Sequence, residues 1–384
     1  MESAIIAAVM GIGKLKRRVW VEVDISRLRA NYRRIASAVR PAKVLCVLKA
    51  NAYGLGVEPY AAALAETGCV GFGVAEPHEA LQLMPFGKPV QILSSILPDE
   101  IAPMVEAGVI LPVTDVHTAK LIDAAAKKAG RRAKVHFKLD TGMGRLGILA
   151  ADAPRTIRET VAGCPNLDCE GIFSHCPTAY DPANDFTNDQ IAVFKGILKD
   201  VARDGIRFGK VHIAASDAIN NFPAAKRAPF NIVRTGINLH GSFDPNGRRA
   251  LKVESVLTLK TRVAQVRLLP AGTTLGYGRT WCLSKPTKVA TISAGYADGL
   301  PLALTNRGYV LINGAPCPVI GRISMDYTTV DVSKAGDVNP GDEVIALGGK
   351  GRYAITPDDW ATLKGTHAYD IICSFGNRVE RVYR

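Results

Sequence analysis

The sequence predicts an α/β protein in which an N-terminal (β/α)8 barrel precedes a C-terminal, mainly antiparallel β domain. Three observations predict it. Short β-rich runs recur with helical stretches between them, residues able to do chemistry stand at the ends of those runs, and after His240-Gly241 the rhythm changes to closely spaced strands joined by turns.

The early runs are Val44 to Lys49, Gly71 to Ala75, Val90 to Ser94, Ile110 to Thr114, Lys134 to Leu139, Gly171 to His175, Lys210 to Ala215 and Asn231 to Arg234. They number about eight, the count of a (β/α)8 barrel. Helical patterns at Tyr60 to Thr67, Thr118 to Ala129 and Thr187 to Arg203 lie between them, the alternation that builds parallel sheets. A doubly wound sheet would show the same alternation, so the count leaves both open. The chemistry favours the barrel: Lys49, His175, Ser216 and Arg234 each fall at or just past a strand end, the rim from which barrel loops assemble their sites. Beyond Gly241, strands are expected at Val253 to Leu268, Lys288 to Ile292, Tyr309 to Ile312, Pro318 to Val332 and Glu343 to Leu347. The expected organisation is residues 1–23 as a tail and strand packing with the second domain, 24–240 as the barrel, and 241–384 as the β domain.

A chain of 384 residues is long for one ordinary core, which agrees with one large and one smaller domain. Its 47% hydrophobic and 22% charged content excludes disorder. The excess of 48 Lys+Arg over 35 Asp+Glu gives +13, a balance that suits nucleic acid, anionic surfaces or small anions. Apart from Lys14-Leu15-Lys16-Arg17-Arg18 the basic residues are scattered, with no basic stripe interleaved with aromatics, so small anionic ligands are favoured over nucleic acid. The cysteines lie mostly inside apolar runs without Cys-x-x-Cys pairs, and read as reduced packing residues of a cytoplasmic protein. No metal site is expected. In the apolar start, Met1 to Met10, the positive charges follow the apolar part instead of preceding it, which argues for a short helix or frayed tail over a signal peptide. No other segment approaches the apolar length of a membrane span.

The run Val47-Leu48-Lys49 ends a buried strand on a cation. A lysine there is ordinarily the first residue back in water. The alternative is a desolvated amine, a good Schiff-base former because burial favours its neutral state. Tyr53 and the glycines after it would then hold a phosphate near the same rim.

The stretch Lys49-Ala50-Asn51-Ala52-Tyr53-Gly54-Leu55-Gly56 resembles the pyridoxal-phosphate lysine motif of alanine racemases. The resemblance runs from about Val19 to the C-terminus and recurs in Lys138-Leu139-Asp140-Thr141-Gly142-Met143-Gly144-Arg145-Leu146-Gly147, Phe173-Ser174-His175, Val233-Arg234-Thr235-Gly236-Ile237, Gly276-Tyr277-Gly278, Gly295-Tyr296-Ala297-Asp298-Gly299 and Ser324-Met325-Asp326. It implies that Lys49 holds pyridoxal 5'-phosphate as a Schiff base and serves as one catalytic base. Tyr53, Ser216, the amides of Gly236 and Ile237, and Tyr369 would hold the phosphate, with Arg234 facing the pyridine nitrogen. A guanidinium keeps its proton at ordinary pH, so the ring nitrogen would not readily be protonated and transamination would be limited.

Racemisation removes a proton on one face and delivers one on the other, so it needs two acid/base groups. By resemblance the second is Tyr277, supplied by the partner subunit of an obligate homodimer with two composite sites. A phenol is a weak base at neutral pH unless positive charge stabilises its phenolate, and His175 and Arg234 are expected to supply that environment. Arg145 resembles the arginine that contacts the cofactor's phenolic oxygen and the substrate carboxylate, a task suited to a guanidinium fork. Lys138 matches a lysine that some members carry as a carbamate, with a structural ion pair as the plainer reading. Tyr296 and the amide of Met325 would contact the substrate carboxylate from the second subunit; by themselves they read as a core tyrosine and a turn.

The sequence departs from the family at several places. Ala215 replaces the usual Asn before the phosphate-binding serine, His240 replaces a common Tyr, Leu302 stands where Arg is common and Tyr180 where Asp is common, with Asp181 adjacent and Arg322 retained. These leave the reaction type alone and bear on substrate selectivity. The expected activity is interconversion of L- and D-alanine, supplying D-alanine for peptidoglycan. The alternatives are a serine or broad-specificity racemase of the same fold, a pyridoxal-phosphate decarboxylase, and a non-catalytic carrier of the cofactor. The decarboxylase pattern lacks its Gly-Gly-Gly run here, and a carrier would have no use for Tyr277, Tyr296 and Met325.

Overall fold

The structure, a computed structural model, describes residues 17–384. The expected helix or tail over Met1 to Met10 lies outside the described residues. The chain divides into two compact units: 24–256 with 367–373, and 257–366 with 374–384 and the described residues 17–23.

The larger unit is a closed parallel barrel. Its strands are β1 Lys43–Val47, β2 Gly71–Val74, β3 Val90–Ile92, β4 Leu111–Val113, β5 Ala133–Asp140, β6 Leu167–Phe173, β7 Lys210–His212 and β8 Ile232–Thr235. Neighbours pair in sequence order, as in Leu45 with Gly71, Phe72 with Val90, Val113 with Phe137 and Phe173 with His212. β3 meets β4 through Ile110 N to Val90 O (2.8 Å), β7 meets β8 through Asn231 N to Val211 O (3.0 Å), and β8 closes on β1 with Arg234 opposite Leu45. That closure decides against the open doubly wound sheet. β1, β2 and β4 are short, buried, mostly apolar runs covered on both faces, whereas β5 to β8 carry polar residues including His136, Glu170, His212 and Arg234.

Helices follow the strands where the apolar period changes to that of a helix. They include Ile25–Ala38, started by Asp24 accepting from Arg27 N, and Val116–Lys128, started by Asp115 accepting from Thr118 N. Val57–Ala65 and Phe186–Val201 stand in place of the expected Tyr60 to Thr67 and Thr187 to Arg203. The first strand is shorter than the sequence suggests: it stops at Val47 and Leu48 turns, so Lys49 opens the following turn.

The unit border falls at Val256 and not at His240. The segment after Gly241 has little regular structure but is hydrogen-bonded to the barrel unit: Asn31 Nδ2 donates to Glu254 O (2.7 Å), Glu254 N to Asn31 Oδ1 (2.9 Å) and Leu251 N to Asn220 Oδ1 (3.0 Å). The helix Ala368–Cys373 likewise belongs to the barrel unit.

The smaller unit is mainly antiparallel and organised on one long strand, Leu257–Leu269. It pairs antiparallel with Val19–Val23, Thr287–Ile292 and Glu343–Leu347. Val19–Val23 also takes Glu380–Tyr383 in parallel, so both ends of the described chain enter this sheet. Where the sequence suggests a single strand from Pro318 to Val332 there are two, Ala315–Pro318 and Thr328–Asp331. The break coincides with Gly321 at φ +87°, and the loop between them carries Met325.

Candidate active site

The barrel unit holds a cavity of about 670 Å³, and Lys49, Tyr53, Lys138, Arg145, His175, Ser216, Arg234, Gly236 and Tyr369 all line it. Nearly every site residue expected in this unit is therefore brought together. Ile237, the exception, is fully buried at the start of the short 3-10 turn Ile237–His240.

Local backbone explains how one short segment contributes twice. Ala50, Asn51, Ala52 and Tyr53 have φ of +53, +55, +51 and +59°, a left-handed turn. Each such residue costs roughly 1–2 kcal/mol, so the turn must be held by its surroundings. Asn51, which tolerates this region, accepts from Val57 N through Oδ1 (2.8 Å); Gly54 N donates to Ala50 O (2.7 Å), and Ala50 N donates to the Glu79 carboxylate. The result places Lys49 and Tyr53 on one cavity.

At one end of the cavity the donors are neutral. Gly236 N donates to Ser216 Oγ (3.2 Å), and a Cβ added at Gly236 would collide with the Tyr53 hydroxyl. Tyr369 lies with its ring 5.8 Å from that of Tyr53. Burial raises both phenols above their ordinary value, so they stay protonated and can donate. Convergent hydroxyls, a backbone amide and a cradle open only to glycine fit a phosphate.

Four cations, Lys49, Lys138, Arg145 and Arg234, also line the cavity. Burial, then Arg145, lowers the Lys49 amine; burial, then Arg234, Arg145 and Lys49, lowers Lys138 to about 8. Lys138 Nζ donates to Ser94 O (3.2 Å) and Leu93 O, with no carboxylate bonded to it among the described residues, so no structural ion pair accounts for it. His175 is held neutral, lowered to about 3 by burial and then Arg234. Arg234 Nη2 approaches His175 Nδ1 (3.4 Å) and donates to Ser174 O (2.7 Å). Such a cluster suits an anionic ligand.

Tyr277, Tyr296 and Met325 are not among the lining residues. They belong to the smaller unit, exposed by 72, 44 and 52%. Tyr277 borders a separate hollow of about 340 Å³ with Gly276, Arg322, Ser324, Tyr327 and Thr329. The Tyr296 and Met325 loops are tied by Tyr296 N to Ser324 O and Ala297 N to Met325 O, both 3.1 Å.

Several contributors escaped the sequence reading. Asp140 accepts from the amides of Gly142, Met143, Gly144 and Arg145 at 2.8–3.1 Å, which folds the loop that presents Arg145. Arg378 bonds buried Asp298 in bidentate fashion (2.7 and 2.9 Å) and Asp326 (2.7 Å), joining the loops of Tyr296 and Met325. Asp217 lines the cavity beside Ser216, its carboxyl raised to about 6 by burial and then Asp244. The glycines and the acidic partner after Lys138 were the available signal for Asp140; nothing local marks Arg378. Of the departures, Tyr180 and Ala215 line the cavity, and Leu302 is half-exposed in the other unit. His240 is fully buried, edge-on to Tyr53 at 4.9 Å with Nδ1 3.0 Å from Tyr60 Oη, so it packs beneath Tyr53.

Comparison with known proteins identifies both domains. Residues 23–244 match the family model of the alanine racemase N-terminal domain and 256–383 that of the C-terminal domain. The alanine racemase of Symbiobacterium thermophilum is 35% identical over 370 residues, covering 96% of this chain and 97% of its own. Among solved structures, alanine racemase from D-cycloserine-producing Streptomyces lavendulae superposes with a TM-score of 0.88 at 32% identity, over 97% of this chain and 98% of that one. The Bartonella henselae enzyme, described with covalently bound pyridoxal phosphate, gives 0.86 at 30% identity over 96% and 100%. With both domain models matched in order along nearly its whole length, this chain belongs to the alanine racemase family, whose enzymes depend on pyridoxal phosphate.

Proposed function

We propose that this chain interconverts L- and D-alanine with two acid/base groups on opposite faces of the substrate, Lys49 and Tyr277, one removing the α-proton while the other delivers a proton. The observation that carries the proposal is one cavity lined by a lowered amine, by neutral donors suited to a phosphate and by further cations. Pyridoxal phosphate, when bound, supplies the electron sink that makes an amino acid's α-hydrogen removable. Tyr53, Ser216, Gly236, Ile237 and Tyr369 would hold its phosphate, Lys49 its carbonyl carbon and Arg234 its ring nitrogen.

Lys49 is suited to exchanging a proton because burial and Arg145 keep a larger share of it neutral than a lysine in water. Arg145 supplies the fork for a carboxylate, on a loop fixed by Asp140. A carbamate on Lys138 would give that arginine an anionic partner. Tyr277, with Tyr296 and the Met325 amide, acts from the partner subunit of a homodimer; its wide exposure in this chain supports that role. We place the enzyme in the cytoplasm, in line with its eight free cysteines, and its D-alanine in peptidoglycan supply.

A mixing experiment tests the division between subunits. Lys49→Ala and Tyr277→Phe should each fall below about a hundredth of wild-type activity. Co-expressed, they should recover about a quarter, since half the dimers are mixed and each mixed dimer has one intact composite site. No recovery would mean that both groups act within one chain or that Tyr277 is not the second base.

Tyr180 at the cavity wall and Leu302 in place of charged residues favour a second reading, a broader substrate range. Proton exchange in heavy water across a panel of L- and D-amino acids decides it. Serine or lysine exchanging much faster than alanine at matched concentration would replace alanine as the substrate.

A further inference from the structure

Arg234 is a buried cation whose hydrogen-bond partners are all neutral. Only 5% exposed, it donates to the carbonyls of Ser174 (2.7 Å), Ile213 (3.0 Å) and His212 (3.3 Å) and to His212 Nδ1 (2.9 Å), with His175 Nδ1 at 3.4 Å. No carboxylate pairs with it among the described residues, and an uncompensated buried charge is costly.

The bonds lead onward inside the barrel. His212 Nε2 lies 3.0 Å from His136 Nδ1, and His136 Nε2 lies 3.3 Å from Glu170 Oε1. Glu170, its side chain 17% exposed, also accepts from Lys210 Nζ (2.6 Å). A guanidinium only donates and a carboxylate only accepts, so the two ends dictate both tautomers. His212 accepts at Nδ1 and keeps its hydrogen on Nε2; that hydrogen goes to His136 Nδ1, and His136 donates from Nε2 to Glu170. Gln91 Nε2, 3.0 Å from His136 Nδ1, is a second donor aimed at the same bare nitrogen.

The fold is built around this chain. A Cβ on Gly171 would collide with the His136 ring, and His212 stacks on Phe173 at 5.0 Å and 3°. Burial holds both imidazoles neutral, His212 well below its ordinary value. Burial works to raise Glu170, but the bonds from His136 and Lys210 outweigh it and leave the carboxyl at about 2. The other titratable groups that act on or respond to Arg234 are cationic or neutral: Lys138, His175, Cys176, His136 and His212.

We propose that Glu170 is the counter-charge of Arg234, joined to it through His212 and His136 as hydrogen bonds of one polarity, and that His136 and Glu170 are positioning residues which keep the guanidinium charged and fixed in orientation. Its bearing on catalysis rests on the reading that Arg234 faces the cofactor ring; the chain itself does not.

Histidine labelled with nitrogen-15 and arginine labelled at Cζ, in the holoenzyme and the cofactor-free protein, test it. Both His136 and His212 should carry hydrogen on Nε2 and not titrate between about pH 6 and 9. Glu170→Gln keeps an acceptor but removes the charge, and should move the Arg234 titration midpoint down by about one pH unit. Lys210→Met leaves the carboxylate less compensated and should move it up. In Glu170→Gln, kcat should fall about tenfold while KM for alanine and cofactor affinity stay within about twofold. A hydrogen on Nδ1 of either ring, or midpoints that stay put or move in the same direction in both variants, overturns the proposal. If alanine is not racemised while tautomers and opposite shifts hold, the chain stands and the assigned activity falls.

Discussion

Lys138 shows how one residue's chemistry is set by neighbours remote in sequence. Buried beside Arg234, Arg145 and Lys49, its amine is lowered to about 8, so near that pH a large share is neutral and able to add carbon dioxide, giving a carbamate and a released proton. Lowering the pH through 8 protonates the amine and withdraws the reactant. In carbon-13 bicarbonate, a carbamate resonance should appear at alkaline pH, fade below about pH 7 and be absent from Lys138→Ala. A spectrum without it, or one unchanged by the substitution, would leave Arg145 without that anion.

At the scale of elements, the turn after β8 and the turn after β1 meet at the end of the cavity proposed to hold a phosphate. Gly236 follows β8 and leaves no room for a side chain against Tyr53, which the left-handed turn delivers from β1. Gly236→Ala should push Tyr53 aside and weaken pyridoxal phosphate binding by at least about tenfold, followed by cofactor absorbance, while the folded far-ultraviolet spectrum persists. Unchanged affinity would remove Tyr53 and Gly236 from the phosphate site. The strained turn is itself kept by contacts outside it, notably Asn51 to Val57 and Glu79 to Ala50.

Taken whole, the barrel unit holds four neutral histidines, His136, His212 and His240 buried and His175 on the cavity wall, all below the ordinary 6.5 chiefly through desolvation. As pH falls below that value the unfolded chain takes up protons that the folded barrel refuses, so stability is lost. Each histidine contributes about 1.4 kcal/mol per pH unit over that window. The melting temperature of the cofactor-free protein should therefore drop steeply from about pH 7 to 5; a flat profile would mean that the buried rings accept protons after all.

The residues legible in the sequence were those whose meaning is local. Apolar runs ending on polar residues placed the strands and put Lys49, His175, Ser216 and Arg234 at one rim, and the resemblance supplied Tyr277 and Met325. The border of the units was not legible, because Glu254 and Leu251 owe their place to Asn31 and Asn220, far back along the chain. Arg378, His136 and Glu170 were missed for the same reason: each acts through partners dozens of residues away.

By itself, then, the sequence determined the order and period of the strands, the chemistry at their ends and the family, since these depend on spacing along the chain. The tertiary structure alone decided that the barrel closes, that four cations share one cavity in which burial and neighbouring charge lower the proton affinity of Lys49 and Lys138, and that a guanidinium without a touching carboxylate reaches Glu170 through two imidazoles. Those outcomes depend on desolvation and on through-space distances, which exist only once the strands are side by side.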